Sequence, residues 1–308
     1  MIVKTPARLH LGVIDLSGAH RRLFGSIGVA IDRPNVVLEV EKSDRLEVVG
    51  QQKNKIILLI KTFSKKFKIK GNVRVNVRET IPEHVGLGSG TQLALAIGFS
   101  LSKFFHLNLS LKAIAEAMGR GSVSGIGLGA FEHGGFLVDA GKKVNTNEIP
   151  PIIFRHNFPE EWAFVVVIPK VKKGFSGNKE KDAFKKVIPG NPKTASEINC
   201  LLNLKLIPSL KAGNIKNFGS ALSQIDKKVG EYFSEVQGGT YANPKSEKII
   251  KFMLKNGAHG AGQSSWGPAV YGLIEKKNAG KLEKLVSKKF RAVVFATSAN
   301  NKGAVFSG

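Results

Sequence analysis

The segment Val85-Gly86-Leu87-Gly88-Ser89-Gly90-Thr91 joins a predicted strand to a predicted helix. Closely spaced glycines let the backbone approach a phosphate, and the free N–H groups at a helix start stabilise its negative charge. The segment is not a Walker loop, because no lysine follows its last glycine. It favours a phosphate-binding loop, with a tight packing turn as the alternative; the loop residues are Gly86, Leu87, Gly88, Ser89, Gly90 and Thr91.

The flanking sequence predicts an α+β fold around this loop. Strand Val73–Val77 alternates apolar and charged residues, and helix Thr91–Phe105 follows the loop. Ser110 occupies the N-cap position of a second helix, Leu111–Met118. Other patterns predict a strand pair in 2–14, strands at 36–40, 45–49, 135–139, 162–168, 269–274 and 291–296, and helices at 51–67 and 277–288.

The length of the chain predicts two domains. Its 308 residues exceed the ~100–200 residues of one typical domain. The pair Pro150–Pro151 is the clearest linker signal, since two prolines interrupt regular structure. We therefore expect an amino-terminal domain at 1–151, which carries the glycine loop, and a carboxy-terminal domain at 152–308.

Apolar runs and cysteine content indicate a cytoplasmic protein. The longest apolar runs, 56–60 and 163–168, are far shorter than the ~18 residues of a membrane span. Lys4 and Arg8 interrupt any hydrophobic stretch of the signal-peptide type near residue 1. The single cysteine, Cys200, has no partner for an internal disulfide. We expect neither membrane association nor secretion.

The formal net charge of +24 allows more than one class of partner. Forty-seven Lys and Arg residues face 23 Asp and Glu residues, and lysine makes up most of the excess. Nucleic acid, anionic lipid and small polyanionic substrates all suit a basic surface. The absence of a recognition element rich in Arg, Asn or Gln favours a solvated lysine surface over nucleic-acid binding. Lys172, Lys173 and Lys179 flank a glycine-containing loop (174–177) that can close over an anion or belong to that surface.

Two further segments give the glycine loop a family context. Pro6-Ala7-Arg8-Leu9-His10-Leu11, Ile81–Gly90 and Gly257–Ser265, taken in order, resemble the three motifs of the GHMP kinase superfamily. The resemblance implies a two-domain α+β fold, with a phosphate-loop domain followed by an α/β sandwich domain. It also implies substrate contacts from Arg8, His10, Gly262, Gln263, Ser264 and Ser265, and frequent dimerisation, so that a homodimer is expected.

One position departs from the kinase pattern. Many GHMP kinases carry a Ser-Gly-x-Asp segment before a Gly-Gly pair, and its Asp acts on the substrate hydroxyl. Here Ser124-Gly125-Ile126-Gly127 precedes Gly134-Gly135 at the same interval, and glycine replaces the Asp. Glycine cannot accept a proton, although the homoserine kinases also lack this Asp. Ser124 remains a candidate phosphate contact, and an ATP-dependent small-molecule kinase of the homoserine or mevalonate type remains the alternative.

A narrower resemblance is to the β-ribofuranosylaminobenzene 5′-phosphate synthases of methanopterin biosynthesis. It rests on Gly121–Gly127, Phe131–Phe136, Phe158–Trp162, Gly262–Pro268 and the amino-terminal segment from Asp15 to Gly28. The family is a decarboxylating pentosyltransferase. It joins phosphoribosyl pyrophosphate to 4-aminobenzoate or 4-hydroxybenzoate and releases pyrophosphate and carbon dioxide. A third, non-enzymatic interpretation is a basic nucleic-acid-binding protein.

This resemblance assigns roles to polar residues outside the glycine loop. Asp15 is expected to stabilise the cationic sugar centre or to bind Mg²⁺ together with Ser89, and the alternative is that it caps the turn at 16–18. Arg22, with Arg21 beside it, is expected to hold a carboxylate or phosphate, and surface arginines are the alternative. Glu132 and His133 are the remaining catalytic candidates. No organic cofactor is expected, because the para substituent of the benzoate supplies electrons to the ring.

Overall fold

The computed structural model describes residues 1–171, 178–241 and 243–307, without the side chains of 178–181. The predicted anion loop at 174–177, with Lys172 and Lys173, lies outside this description, as does the side chain of Lys179. The strands are β1 Ile2–Asp15, β2 Arg22–Ser43, β3 Glu47–Val49, β4 Asn72–Glu79, β5 Phe136–Asp139, β6 Lys142–Lys143, β7 Ile152–His156, β8 Trp162–Pro169, β9 Gly260–Gln263, β10 Val270–Glu275, β11 Ala292–Ser298 and β12 Val305–Ser307. The helices are α1 Lys53–Lys66, α2 Ser89–Phe104, α3 Leu111–Ala117, α4 Ile126–Glu132, α5 Asn178–Val187, α6 Pro192–Leu201, α7 Ile207–Lys211, α8 Ile215–Gln237, α9 Pro244–Lys255 and α10 Lys276–Lys289, with a π-helical turn at Leu202–Leu206.

The larger sheet is built on the long hairpin of β1 and β2. Its strand order is β12-β1-β2-β4-β3, and β2 also pairs with β5 and β6 while β5 pairs with β7. The smaller sheet has the order β11-β8-β10-β9. Because β7 and β12 both belong to the larger sheet, segments on either side of Pro150–Pro151 contribute to it. The α+β fold class predicted from the sequence is confirmed.

Helix α2 lies within the hydrophobic core that it shares with α1, α3, β1 and β2, and it starts directly at the glycine loop. Nearly every residue from Gln92 to Ser102 is buried, so the helix is enclosed by α1, α3, α4 and β1. Burial on all sides agrees with its apolar composition, because a helix at the surface has one apolar face and one polar face. Its fixed position holds the loop at 86–90 against β1.

Helix α8 crosses the smaller sheet at a contact between two glycines. A side chain at Gly219 of α8 would overlap the carbonyl of His259, and one at Gly260 of β9 would overlap Gly219. Asp226 lies seven residues beyond Gly219, which is two helical turns and the same face. It therefore faces the end of β9 at Gln263. This close crossing brings a carboxyl group to the edge of the site.

The predicted helices and the predicted N-cap agree with the structure, whereas the predicted pairing within residues 2–14 does not. Helices were confirmed close to 51–67, 91–105, 111–118 and 277–288, and Ser110 caps α3 by accepting a hydrogen bond of 3.2 Å from the N–H of Ala113. The strand pair predicted in 2–14 is wrong. These residues form the single strand β1, because the turn lies later, at 16–21, and the partner is β2. Among the described residues, no helix is both long and apolar enough to cross a membrane.

Candidate functional site

The three motif segments, 6–11, 81–90 and 257–265, meet at one point of the fold. The Ser264 hydroxyl donates a hydrogen bond of 2.6 Å to the carbonyl of Gly86 and accepts one of 3.0 Å from the N–H of His10. Arg8 reaches the same carbonyl with its Nη1 at 2.5 Å. Gly86 has a φ of 90°, and any side chain there would overlap the Ser264 carbonyl. Glycine is therefore required at this position by the junction of the segments.

A cavity of about 260 Å³ opens beside this junction. Its walls come from β1, the start of α2, the loop before α4, helix α8 and the end of β9. Six residues predicted to bind substrate or phosphate line it: Arg8, His10, Thr91, Ser124, Gln263 and Ser265. The structure thus gathers, in one concave site, residues that are up to about 250 positions apart in the chain.

Two arginines flank the start of α2. A Cβ placed on Gly88 would stand 3.1 Å from Cγ and 3.4 Å from Nε of Arg8. A Cβ on Gly90 would stand 3.4 Å from Nη1 of Arg120. The first turn of a helix leaves backbone N–H groups without intrahelical partners and carries a partial positive charge. This end of the cavity therefore combines two guanidinium groups and a helix amino terminus.

Arg120 is poised to receive an anion. Its side chain is half-buried and lines the cavity, and burial lowers its pKa. Its Nε has no hydrogen-bond partner, and its guanidinium forms no ion pair with any acidic residue that the structure describes. A cation removed from water without a counter-ion raises the free energy of the empty site, and a bound anion removes that cost.

The loop that carries Ser124 is held in place by the buried carboxylate of Asp139. Asp139 accepts hydrogen bonds from the N–H groups of Gly125 (2.8 Å), Gly141 (2.9 Å) and Ser26 (3.1 Å), and from the hydroxyl of Ser124 (3.1 Å). Burial raises the pKa of Asp139 to about 6, against the opposing effect of these donors. Asp139 therefore fixes the position of the loop in front of α4, and Ser124 uses its hydroxyl partly for that purpose.

The position of the missing kinase base is closed by packing. Gly127 lies within α4, and a Cβ there would stand only 2.8 Å from Cγ2 of Thr91. The amide of Gln92 donates to the Gly127 carbonyl at 2.8 Å. A carboxylate at residue 127 would require the side chain of Thr91, in the first turn of α2, to move. The absence of a base at this point is built into the contact between the two helices.

A second polar group lines the wall formed by α8 and β9. Asp226 is buried, and its Oδ1 accepts a hydrogen bond of 2.8 Å from the N–H of Gln263. Burial raises the pKa of Asp226 to about 7, while the Gln263 N–H and the hydroxyl of Tyr241 act in the opposite direction. The pKa of Tyr271, which is fully buried beside this carboxyl group, is raised by burial and by the negative charge of Asp226. Gly262 has no side chain here because a Cβ would overlap the Asp226 carboxylate.

His10 is a neutral residue of the cavity wall. Burial, and secondarily the positive charge of Arg8, lowers its pKa to about 3. Its backbone carbonyl accepts a hydrogen bond of 3.1 Å from the N–H of Ser265, which ties β1 to the third glycine segment. At neutral pH its imidazole can offer one donor and one acceptor to a ligand, but no charge.

Several residues predicted to be catalytic lie outside the cavity. The Asp15 carboxylate accepts hydrogen bonds of 2.6 Å from both the N–H and the hydroxyl of Ser17, as expected for a turn cap. Arg22 donates to the carbonyls of Ala140 (2.9 Å) and Gly141 (2.7 Å) and pairs with Glu148 at 2.9 Å.

The other outlying candidates are exposed. Arg21 lies in the turn after β1, with its N–H bonded to the Gly18 carbonyl. Glu132 and His133 stand at the end of α4, where Oε2 and Nε2 are 3.5 Å apart and both side chains are about half-exposed. Their predicted roles in catalysis stay predictions, since the described contacts bring none of them to the cavity wall.

Arg120, Asp226 and Tyr241 are among the polar residues of the cavity that sequence reasoning left out. Arg120 had a usable signal, because it is one of the few arginines and it opens a glycine-rich segment. Asp226 and Tyr241 had none, since each lies in an ordinary helical or loop context far from the glycine segments. The long helix α8 and its close crossing of β9 place them at the site.

The fold is that of the GHMP kinase class. The GHMP kinases N terminal domain matches residues 54–135 and the GHMP kinases C terminal domain matches residues 206–292. The crystal structure of the Methanococcus jannaschii mevalonate kinase has a TM-score of 0.71 with this chain at 18% identity, and the match covers 98% of each chain.

A narrower family is shown by full-length relatives. The beta-ribofuranosylphenol 5′-phosphate synthase of Methanothermobacter thermautotrophicus is 31% identical over 99% of this chain and 98% of its own. The enzyme of the same name from Archaeoglobus fulgidus is 32% identical over 98% of this chain and 97% of its own. The chain belongs to the beta-ribofuranosylphenol 5′-phosphate synthase family.

Proposed function

We propose that this protein joins phosphoribosyl pyrophosphate to a para-substituted benzoate, with release of pyrophosphate and carbon dioxide, as a step of methanopterin biosynthesis. The observation that carries the proposal is the sequence identity of 31% and 32% with the two synthases over nearly the full length of both chains. Their name specifies a ribofuranosyl group, a 5′-phosphate and a phenol ring. We therefore propose 4-hydroxybenzoate as the preferred acceptor over 4-aminobenzoate.

The cationic end of the cavity suits the pyrophosphate group. Arg8, Arg120 and the amino terminus of α2 surround Gly88 and Gly90. Pyrophosphate gains negative charge as its bond to the anomeric carbon breaks, and fixed donors at this place stabilise the transition state more than the ground state. The hydroxyl of Thr91 adds a neutral donor at the cavity wall, whereas Ser124 donates its hydroxyl proton to Asp139.

Magnesium is proposed to enter with the pyrophosphate. Among the described residues, no cluster of three or more His, Cys, Asp or Glu side chains can hold a metal alone. Mg²⁺ suits such a site, because it keeps several waters and binds largely through substrate phosphates. We propose that the hydroxyls of Ser89 and Thr91, at the start of α2, complete its coordination, since Asp15 is bonded within its own turn. Bound Mg²⁺ would neutralise charge on the leaving group.

The kinase alternative is weakened by the contact at residue 127. A GHMP kinase that uses an Asp here needs room for its side chain, and Thr91 occupies that room. Kinases that manage without this Asp remain the relevant comparison, so phosphoryl transfer from ATP is the competing activity to measure.

The proposal is tested by product analysis with carboxyl-labelled benzoates. The protein is incubated with phosphoribosyl pyrophosphate, Mg²⁺ and either acceptor, and carbon dioxide, pyrophosphate and the ribosylated ring are quantified. Equal amounts of all three products, formed only when both substrates are present, are expected. ATP-dependent phosphorylation of an alcohol without carbon dioxide release would replace this proposal by the kinase.

A cytoplasmic location is part of the same proposal. Phosphoribosyl pyrophosphate is a charged metabolite that does not cross membranes unaided, so its consumer must share its compartment. The single Cys200 is a free, exposed thiol, which suits a reducing environment. Fractionation of the native cells with an antibody to the chain checks this location.

A further inference from the structure

We propose that Asp226 binds the para substituent of the aromatic acceptor and accepts its proton during ring attack, with Tyr241 orienting the carboxylate. The proposal rests on the proposed synthase activity and assigns a further catalytic residue within the same cavity. It is carried by the position, the burial and the missing counter-ion of Asp226.

The carboxyl group is buried at the cavity wall with unused acceptor capacity. Gln263 N–H donates to Oδ1 at 2.8 Å, and Oδ2 has no hydrogen-bond partner of ordinary geometry. No described Lys, Arg or His side chain forms an ion pair with Asp226. A buried carboxylate without a cation is costly and is seldom found unless something compensates for it. A donor on a bound ligand is such a compensation.

Asp226, on α8, and Arg120 and Thr91, at the start of α2, line the cavity from different elements. Arg8 contacts the glycine loop, whereas Gly12, four residues further along β1, faces Ile225 and Val229 of α8. Four residues of extended strand span roughly 13 Å. Asp226 follows Ile225 directly on α8, and its carboxylate contacts Gly262 and Gln263 at the end of β9. A substrate pair with pyrophosphate at Arg8 and the benzoate ring beyond the ribose would direct the ring towards α8.

Tyr241 and Tyr271 stay uncharged and leave Asp226 as the base of this wall. Tyr241 lines the cavity beside Asp226, and burial raises the pKa of its hydroxyl. The Tyr271 hydroxyl is fully buried and has no hydrogen-bond partner among the described residues. Both phenols therefore stay protonated at neutral pH and remain donors. A 4-hydroxyl or 4-amino group supplies the proton that Asp226 lacks, while an apolar para group leaves the carboxylate unsatisfied.

The chemistry needs a base at this end of the ring. The ring carbon that carries the carboxylate forms a bond to the anomeric carbon, and the bond from that carbon to the pyrophosphate oxygen breaks with its electron pair. The para hydroxyl loses its proton to Asp226, so the intermediate is a neutral dienone and not a cation. The bond to the carboxylate then breaks, carbon dioxide leaves, and its electron pair restores the aromatic ring as a phenolate. Asp226 returns the proton to the oxygen.

The electrostatics of Asp226 suit this exchange. Burial raises its pKa to about 7, near the pH at which a base is both sufficiently ionised and sufficiently strong. A carboxylate with an ordinary pKa would be a weaker base and would accept the phenol proton less readily. Gln263, through its N–H, keeps Oδ1 fixed and leaves Oδ2 for the substrate.

Asp226→Asn tests the proposal because it removes the base and keeps the shape. With 4-hydroxybenzoate, the turnover rate should fall about 100-fold or more, as for loss of a general base. KM for phosphoribosyl pyrophosphate should stay within about twofold. Glu231→Gln makes the same change on an exposed side chain of α8 and should behave as wild type.

Acceptors whose phenols differ in acidity show whether Asp226 acts as a general base or only as a structural residue. 3-Fluoro-4-hydroxybenzoate has a more acidic phenol and depends less on a base. The ratio of the wild-type turnover rate to that of Asp226→Asn should therefore be several-fold smaller with this acceptor. An equal loss with both acceptors would make Asp226 structural, and no loss would remove it from the site. Either result overturns the proposal.

Two measurements decide the matter should Asp226→Asn fail to fold. Wild type should bind 4-methoxybenzoate, which has no donor, about tenfold more weakly than 4-hydroxybenzoate, and Tyr241→Phe should lower turnover without changing the affinity for phosphoribosyl pyrophosphate. Equal binding of the two benzoates overturns the proposal. Wild type that releases no carbon dioxide with any benzoate refutes the synthase activity itself, which is a separate outcome.

Discussion

Replacement of Arg120 by Met should weaken binding of the phosphoribosyl substrate without destabilising the protein. The side chain lines the cavity beside Gly90, at the amino terminus of α2, and its Nε has no hydrogen-bond partner. Methionine keeps most of the length and apolar stem of arginine. The change therefore removes a charge and its donors while the packing is largely preserved.

The expected magnitude follows from one charge-assisted contact. A hydrogen bond to a charged group contributes about 1.5–3 kcal/mol, which corresponds to roughly a 10- to 150-fold change in Kd. The effect on the free protein has the opposite sign. Burial lowers the pKa of Arg120, which means that the charged form is disfavoured in the empty site. Met should therefore leave the melting temperature unchanged or raise it, as is common for residues kept for binding.

Thermal shift and calorimetry measure both effects. Phosphoribosyl pyrophosphate or pyrophosphate with Mg²⁺ at 100 times its Kd should stabilise wild type by about 2.7 kcal/mol, and the same concentration should stabilise Arg120→Met much less. Arg45→Met makes the identical change at an exposed position and should match wild type. An unchanged Kd in Arg120→Met, with the protein folded, would refute the assignment of this end of the cavity to the pyrophosphate.

Three further substitutions test other parts of the site. Gly88→Val forces a β-branched residue to a φ of 82° and pushes Arg8 away, so KM for phosphoribosyl pyrophosphate should rise more than KM for the benzoate in initial-rate assays. Gly127→Asp should not create ATP-dependent phosphoryl transfer, because its Cβ meets Thr91 at 2.8 Å; a lower melting temperature with no kinase activity is expected. Arg22→Lys loses part of a network with two carbonyls and Glu148, so it should lower the melting temperature by a few degrees and leave both KM values within about twofold.

The sequence predicted those features that depend on local patterning. Ser110 as an N-cap, the apolar helix after the glycine loop and the buried strand at 162–168 follow from spacing and propensity within a few residues. The wrong prediction of a strand pair in residues 2–14 also arose from local patterning. A strand of 14 residues is longer than usual, and only the partner strand shows that its turn lies beyond Asp15.

The site was harder to predict, because its residues meet through tertiary contacts. Gly86 and Ser264 are bonded across 178 positions, so no local pattern reveals that Gly86 is held by the third motif segment. Asp226 reaches the cavity by the crossing of α8 over β9 at Gly219 and Gly260. Nothing in the helical pattern of 215–237 distinguishes Asp226 from a solvated carboxylate. Family resemblance located the glycine segments; only the fold located Arg120 and Asp226 beside them.

The proposed reaction explains why a kinase scaffold suits a pentosyltransferase. In both reactions negative charge grows on phosphate oxygens as a bond to oxygen breaks or forms, and fixed donors at the start of α2 stabilise that charge. In a kinase the loop holds a phosphoryl group that is transferred, and a base beside it deprotonates the acceptor hydroxyl. In the proposed synthase the loop holds the leaving group, so a base beside the phosphates has no proton to remove. The proton to be removed is then at the far end of the acceptor ring, which accounts for the packed Gly127–Thr91 contact and for a buried carboxyl group at Asp226.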